Sequence, residues 1–100
     1  MVIGLLKNLR CMDIRIDPHT AKRALERGTN QDEIRDVIES GVLVPSRPGR
    51  LKKAKVYAFE EERFGRVYPH KRVEVVYTMT DNIVVTVTVY VFFGVWKDEQ

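Results

Sequence analysis

The hydrophobic pattern of this chain changes period once, at Val42, and this change most constrains the fold. Before Val42, apolar residues recur at the three- and four-residue spacing of amphipathic helices; after it, they alternate as they do in strands. The concentrated run of turn residues at 45–49 predicts a loop within one domain. A chain of 100 residues that is 44% apolar can bury one core. We therefore predict a single domain with a helical first half and a strand-rich second half.

Capping residues predict two short helices in the first half. Asp17–Pro18 starts the first helix, because the aspartate can cap free amides and the proline's missing N–H is tolerated in the first turn. The first helix is predicted to end at Gly28, because glycine is common just after the last residue of a helix. The second helix begins at Asn30, where Glu33 three residues later completes a capping-box pattern, and it ends at Gly41. We expect these two helices to meet at a tight turn.

Three strands are predicted in the second half. They cover Lys55–Phe59, Arg72–Thr80 and Ile83–Phe93. A turn at Asp81–Asn82 joins the last two, which gives an antiparallel meander. Alternation along the last strand predicts one core-facing set of residues: Ile83, Val85, Val87, Val89 and Val91.

The whole chain, residues 1–100, is expected to form this one domain. Its predicted parts are an N-terminal helix at 1–12, a helical half at 13–41, a β-meander at 42–96 and a tail at 97–100. The apolar start is interrupted at Lys7, well short of the roughly 20 residues that a bilayer span requires. The single cysteine, Cys11, fits a reducing compartment. We expect a cytoplasmic protein with no membrane association, and the oligomeric state is left undetermined.

Basic residues concentrate in the central third of the chain. Residues 42–72 hold nine basic and three acidic side chains, although the whole chain carries a net charge of only +3. Aromatic residues are interleaved with these cations, a mixture suited to phosphates and exposed bases. The predicted nucleic-acid-binding residues are Arg50, Lys52, Lys53, Lys55, Arg66, Lys71, Arg72 and Tyr90. The alternative interpretation is that these charges protect a strand edge from pairing with other sheets.

The first predicted helix carries a cationic stripe. His19, Arg23 and Arg27 are four residues apart, so they lie within an arc of roughly 80° on one side of the helix. An imidazole that can move protons beside two permanent charges that can hold phosphate is suited to RNA chemistry. A solvated helix face with surface ion pairs explains the same pattern.

These residues also carry a resemblance to a known family. The run H-x3-R-x3-R-G, followed by residues 30–34 and by the apolar segment 86–96, resembles an uncharacterised family of small prokaryotic proteins grouped with RelE/ParE-like toxins. The resemblance covers residues 14–96, and Thr20 and Thr29–Asn30 depart from the family pattern. It implies an α+β fold of the RelE-like type, with N-terminal helices packed on a small antiparallel β-sheet. It also implies a toxin of a toxin–antitoxin system that cleaves messenger RNA and is neutralised by a cognate antitoxin.

A metal-independent ribonuclease needs a base, an acid and cations that stabilise the charged phosphorane. His19 is the candidate base or acid, and Arg23 and Arg27 are the candidate phosphate ligands. Tyr77 and Glu74 are the further catalytic candidates, although a packed aromatic and a cross-strand ion pair would explain them structurally. We expect no metal and no cofactor.

Two function classes follow from these observations. The first is a RelE-like toxin that acts as a metal-independent RNA endonuclease on RNA or the ribosome and is bound by an antitoxin. The second is a non-catalytic module that uses the same surface to bind a nucleic acid or a protein. Loss of RNA cleavage in His19→Ala, with RNA affinity retained, would distinguish the first class from the second.

Overall fold

The computed structural model describes residues 13–96, which form five strands and two helices. The strands are β1 (Asp13–Arg15), β2 (Val42–Val44), β3 (Leu51–Arg63), β4 (Arg66–Thr80) and β5 (Ile83–Gly94). The helices are α1 (Pro18–Arg27) and α2 (Gln31–Ser40). The helix predicted within residues 1–12 and the tail predicted at 97–100 lie outside the described residues.

The five strands form one mixed sheet in the order β1-β5-β4-β3-β2. The β1 strand pairs in parallel with β5, and the other three pairings are antiparallel. The antiparallel run from β3 to β5 follows the predicted meander. The turn at Asp81–Asn82 is confirmed, with both residues at positive φ as the tight hairpin requires.

The RelE-like fold class expected from the resemblance, N-terminal helices packed on a small antiparallel sheet, is wrong. Strands hold 55% of the described residues, the two helices are short, and the described chain begins with a strand. The prediction underestimated the sheet because β3 is much longer than the apolar pattern indicates. Its lysines at positions 53 and 55 break the alternation of apolar residues, and both bond to groups on α2.

Both helices start and end at the predicted capping residues. A side-chain oxygen of Asp17 accepts a 3.0 Å hydrogen bond from the His19 amide, and Gly28 ends α1 at a φ of 99°. At the start of α2, Asn30 Oδ1 accepts a 2.9 Å bond from the Glu33 amide. Gly41 ends α2 and donates to the Val37 carbonyl. These boundaries are set by local chemistry, which explains why the sequence predicts them.

The core lies between the two helices and one face of the sheet. The α1 helix packs on β5, and α2 packs on β3 and β4. The fully buried side chains include Ala24 and Ile34 from the helices and Val73, Val75 and Val89 from the sheet. We call the opposite side of the sheet the open face; it is the side that carries Lys52, Arg72, Glu74, Val76, Thr88, Tyr90 and Phe92.

The predicted core face of β5 is wrong over half of the strand. The pairing of β4 with β5 shifts by one residue between Val76 and Tyr77, so that Val87 has no partner on β4. Because side chains alternate along a strand, one extra residue exchanges the two faces. Val84 is consequently buried, whereas Val85 is 39% exposed.

No helix within residues 13–96 has the length and apolar character needed to cross a membrane.

Candidate functional site

A cleft of about 540 Å³ lies on the open face. It is bounded by the β2–β3 loop (residues 45–50) on one side and by β4 and β5 on the other. Polar side chains in its lining are Ser46, Arg47, Arg50, Lys52, Thr88 and Tyr90. Three cations and three hydroxyl groups therefore converge on one concave surface.

Two arginines stand at the loop side of the cleft. The Arg50 amide donates a 3.0 Å bond to the Arg47 carbonyl, and Gly49 between them has a φ of 80°, so the loop turns tightly. Both arginines are exposed. Neither side chain makes an ion pair with any residue in the described part of the chain. Their charges are therefore available to an anionic ligand.

A carboxylate surrounded by cations lies beside the cleft. Glu74 accepts a 3.0 Å hydrogen bond from Nε of Arg72, and its other oxygen is 3.6 Å from Nζ of Lys52. The side chains of Arg72 and Glu74 are each only 15% exposed. Across the sheet, Glu74 is opposite Tyr90 and Arg72 is opposite Phe92. These contacts hold the Glu74 carboxylate in place. Because two cations, Arg72 and Lys52, flank one carboxylate, the three groups together remain positively charged.

Two aromatic side chains project from β5 on the open face. Tyr90 is 42% exposed and Phe92 is 47% exposed. Their ring centroids are 6.5 Å apart, and the ring planes are inclined by 26°. The Arg27 guanidinium lies 5.4 Å from the Tyr90 centroid, and it donates a 2.7 Å bond to the Val89 carbonyl. An anchored cation therefore supports an exposed aromatic pair.

The five predicted catalytic side chains lie in separate places. His19 and Arg23 are on the outer side of α1, where Arg23 Nε donates a 3.4 Å bond to His19 Nε2. Arg27 reaches the edge of β5. Tyr77 is 3% exposed in the core, and burial raises the pKa of its hydroxyl. Glu74 is on the open face, which is the opposite side of the sheet from the helices. The structure brings His19 and Arg23 together but does not bring the five into one centre.

The predicted nucleic-acid-binding residues are divided between the two faces of the sheet. Four of them lie on or beside the open face: Arg50, Lys52, Arg72 and Tyr90. Three are turned towards the helices: Lys53, Lys55 and Lys71. The eighth, Arg66, is exposed at the far end of the β3–β4 hairpin.

The inward-facing lysines bond to helix groups. Lys53 Nζ donates to the Ile38 carbonyl at 2.7 Å, and Lys55 Nζ pairs with Asp36 at 2.7 Å. Lys71 is 8% exposed. These three cations join the sheet to the helices and are not available to a ligand.

Asp36 is the centre of a polar cluster on the helix side of the sheet. Its carboxylate accepts hydrogen bonds from Lys55, from the Tyr57 hydroxyl at 2.6 Å and from the Ser40 hydroxyl at 3.0 Å. The bonds from Lys55 and Tyr57 lower the pKa of Asp36. Burial, followed by the bond to Asp36, raises the pKa of Tyr57 well above its ordinary range.

The predicted site residues did not include Ser46, Arg47 and Thr88, which line the cleft, or Phe92, which lies on the same face of the sheet. Arg47 lies in the basic segment, three residues before Arg50, and a turn at Pro48–Gly49 is the signal that places both on one side of the loop. Phe92 follows Tyr90 by two residues, the spacing that puts two side chains on the same face of a strand.

Across residues 13–96, no group of three or more histidine, cysteine, aspartate or glutamate side chains is arranged to hold a metal ion. Comparison with protein-family models gives no match, and comparisons with curated proteins and with solved structures give no significant match.

Proposed function

We propose that this protein binds single-stranded RNA on the open face of its sheet. The observation that carries the proposal is the cleft, which places three cations beside the exposed aromatic residue Tyr90. Phosphates bind cations, and unpaired bases stack on aromatic rings.

The charge of the open face supports an anionic ligand. Arg47, Arg50 and Lys52 line the cleft, and Arg72 lies beside it. The acidic side chain Glu74 is paired with both Lys52 and Arg72. A polyanion can therefore approach the cleft without meeting an uncompensated negative charge.

The exposed aromatic residues support an unpaired strand over a duplex. Tyr90 and Phe92 stand on the open surface of a sheet, where a large apolar side chain gains little from the fold. Bases inside a duplex are stacked on each other and cannot reach such rings, whereas the bases of a single strand can.

Hydroxyl groups in the cleft support RNA over DNA. Ser46 and Thr88 line the same concave surface as the cations. A hydroxyl can both donate to and accept from a ribose 2′-hydroxyl, the group by which proteins distinguish RNA from DNA.

We favour binding over cleavage because the predicted catalytic side chains do not converge. His19 and Arg23 lie on the helix side of the molecule, and Glu74 lies on the open face. The metal-independent ribonuclease, the toxin role, the antitoxin partner and the cytoplasmic location stay predictions.

Fluorescence anisotropy with a 12-nucleotide, mixed-sequence, labelled RNA tests this proposal. We expect the logarithm of the affinity to fall linearly with the logarithm of the salt concentration. Arg50→Ala should reduce the steepness of this dependence by about 0.7. Tyr90→Ala should weaken binding by about 5- to 100-fold, the usual effect of losing one stacking ring. The matched charge control is Arg66→Ala, at the start of β4 and the far end of the β3–β4 hairpin, which should leave the affinity unchanged.

Three outcomes would contradict the proposal. Absence of RNA binding at low salt would exclude it, and equal losses in Arg50→Ala and Arg66→Ala would show that the open face is not the site. Equal affinity for DNA of the same sequence would exclude selection by the 2′-hydroxyl. In the same samples, cleavage in EDTA that disappears in His19→Ala would instead support the ribonuclease.

A further inference from the structure

The loop that borders the cleft contains a type II turn. Pro48 and Gly49 are its two central residues, and the Arg50 amide donates a 3.0 Å bond to the Arg47 carbonyl. Gly49 has a φ of 80°, the value that the second central position of this turn requires, and proline is favoured at the first. The Cα atoms at the two ends of such a turn are less than about 7 Å apart. The turn therefore holds Arg47 and Arg50 close together, and we call their two side chains the arginine pair.

The arginine pair carries two uncommitted charges. Both side chains line the cleft and are exposed, and within residues 13–96 neither has an ion-pair partner. The third cation of the cleft, Lys52, lies 3.6 Å from a Glu74 oxygen, so part of its charge is already balanced. Each guanidinium of the arginine pair can donate two parallel hydrogen bonds to one phosphate.

The bulge in β5 shapes the other side of the cleft. Val87 has no partner on β4, and both Val87 and Thr88 line the cleft. In a regular strand two adjacent side chains point to opposite faces, so the extra residue is what brings both to the open face. Bulges commonly redirect a side chain next to a functional site. Here the bulge places the Thr88 hydroxyl across the cleft from the loop that carries the arginine pair.

The cleft has the dimensions of a small-ligand site. Lys52, Val76 and Thr88 form one row across three neighbouring strands. Strands lie about 4.8 Å apart, so the row spans about 10 Å. The cleft volume of about 540 Å³ falls within the range of roughly 300 to 1,000 Å³ that small-molecule sites occupy. Such a cleft holds one end of a nucleic-acid strand better than a long internal stretch, which needs an extended track.

The charge of the arginine pair fits a phosphate monoester. A monoester carries a charge of about −1.5 to −2 at pH 7 and three strong acceptor oxygens. A phosphodiester inside a strand carries a single negative charge and has only two unesterified oxygens. Two free guanidiniums side by side are therefore better matched by a monoester. In an RNA strand, monoesters occur only at the ends.

We propose that the cleft binds a terminal phosphate monoester of single-stranded RNA, with the arginine pair contacting the phosphate and the adjoining nucleotides lying on the open face beside Tyr90. This inference rests on the proposed RNA binding at the open face. It names the part of the RNA that enters the cleft.

RNA strands that differ only at their ends test the inference on the wild-type protein. The probes are 12-nucleotide strands of one sequence, labelled on an internal base, with hydroxyl groups at both ends, a 5′-phosphate or a 3′-phosphate. We expect one of the phosphorylated strands to bind at least about tenfold more tightly than the hydroxyl-ended strand, the effect of adding one charge-assisted hydrogen bond. The methyl ester of that terminal phosphate, a diester with a single charge, should lose most of this gain.

Variants assign the preference to the cleft. Arg47→Ala and Arg50→Ala should each reduce the affinity ratio of the phosphorylated to the hydroxyl-ended strand to below about threefold, because each removes one half of the arginine pair. Tyr90→Ala should weaken both strands by the same factor and keep the ratio, because stacking does not depend on the end group. The matched charge control is Arg66→Ala, an exposed cation at the far end of the β3–β4 hairpin, which should keep both affinities. Circular dichroism spectra establish that each variant is folded.

The outcomes separate this inference from the proposed function. If the three strands bind equally, the terminal-phosphate site is excluded while RNA binding stands. A preference that survives in both arginine variants would exclude the cleft as its location, and one that the methyl ester keeps would exclude recognition of the monoester. Free uridine monophosphate that competes as strongly as the phosphorylated strand would show that the cleft takes a free nucleotide instead of an RNA end. If no strand binds, the proposed function fails and the inference fails with it.

Discussion

The Arg27 guanidinium donates a 2.7 Å hydrogen bond to the carbonyl oxygen of Val89 across the interface between α1 and β5. Val89 lies beyond the three residues of β5 that pair with β1, on the side that no described strand covers. An unpaired carbonyl at a sheet edge is either hydrated or bonded to a side chain. Arg27 therefore takes the place of a missing strand neighbour at this point.

We expect Arg27→Ala to lower the free energy of unfolding by about 1 to 3 kcal/mol, because it removes a charged hydrogen bond from a partly buried carbonyl. Urea titration measures this change. The matched control is Arg23→Ala on the same helix, where the lost contacts are exposed and the expected change is within about 0.5 kcal/mol. Equal losses in the two variants would show that the bond to Val89 has no structural role.

The helix boundaries could be predicted because each depends on neighbouring residues. The hydrogen bonds that the His19 amide donates to Asp17 and that the Glu33 amide donates to Asn30 join residues two and three positions apart. The bulge in β5 could not be predicted in this way. The position of the bulge depends on the pairing with β4. The sequence around Val87, in which valines alternate with other residues, does not indicate that Val87 has no partner on β4.

The arrangement of the cations at the candidate site could not be predicted from neighbouring residues either. The basic segment identifies the cations but not the face on which each lies. Lys52 reaches the open face and Lys53 reaches α2, because adjacent residues of a strand point in opposite directions. Long-range packing decides which face of β3 is turned towards the helices. The sequence pattern of β3 contains too few apolar residues to indicate that face.

Lys71 is expected to be structural. It is 8% exposed, it donates to the Gly28 carbonyl at 2.9 Å, and it pairs with Glu33 at 2.8 Å. Lys71→Met keeps much of the apolar stem but leaves the carboxylate without its cation, so we expect a loss of about 2 to 3 kcal/mol in urea denaturation. Arg66→Ala, an exposed cation on the same strand, should change stability by less than about 0.5 kcal/mol. An unchanged midpoint in Lys71→Met would contradict the assignment.

Gly28 is expected to tolerate alanine less well than Gly65. Both have positive φ, 99° and 78°, so alanine at either position costs about 1 kcal/mol of backbone strain. At Gly28 the new Cβ would also lie 3.1 Å from Cζ of Phe93, whereas nothing lies within 4 Å at Gly65. We expect thermal unfolding to show that Gly28→Ala lowers the free energy of unfolding by about 1 kcal/mol more than Gly65→Ala does. Equal shifts in the melting temperature would show that Phe93 moves aside without cost.

The cluster around Asp36 makes stability depend on pH. The bonds from Lys55 and Tyr57 place the pKa of Asp36 in the folded protein below its value in the unfolded chain, near 3.8. As the pH falls, the unfolded chain therefore takes up the proton first. The stabilisation by the ionised Asp36 is complete at pH values well above the unfolded pKa. It declines as the pH falls through the unfolded pKa, and it is lost once the pH is below the folded pKa.

Asp36→Asn removes this titration, so its deficit in free energy of unfolding relative to the wild type should be largest at pH 7 and should shrink between about pH 5 and pH 3. Urea titrations at pH 7, 5, 4 and 3 measure the deficit. Glu61→Gln removes an exposed carboxylate that makes no ion pair with the described residues, and its small effect should be the same at each pH. A deficit in Asp36→Asn that stays constant from pH 7 to pH 3 would mean that the ionised carboxylate contributes no more than a neutral amide. The bonds to Lys55 and Tyr57 would then act as ordinary hydrogen bonds, independent of the charge on Asp36.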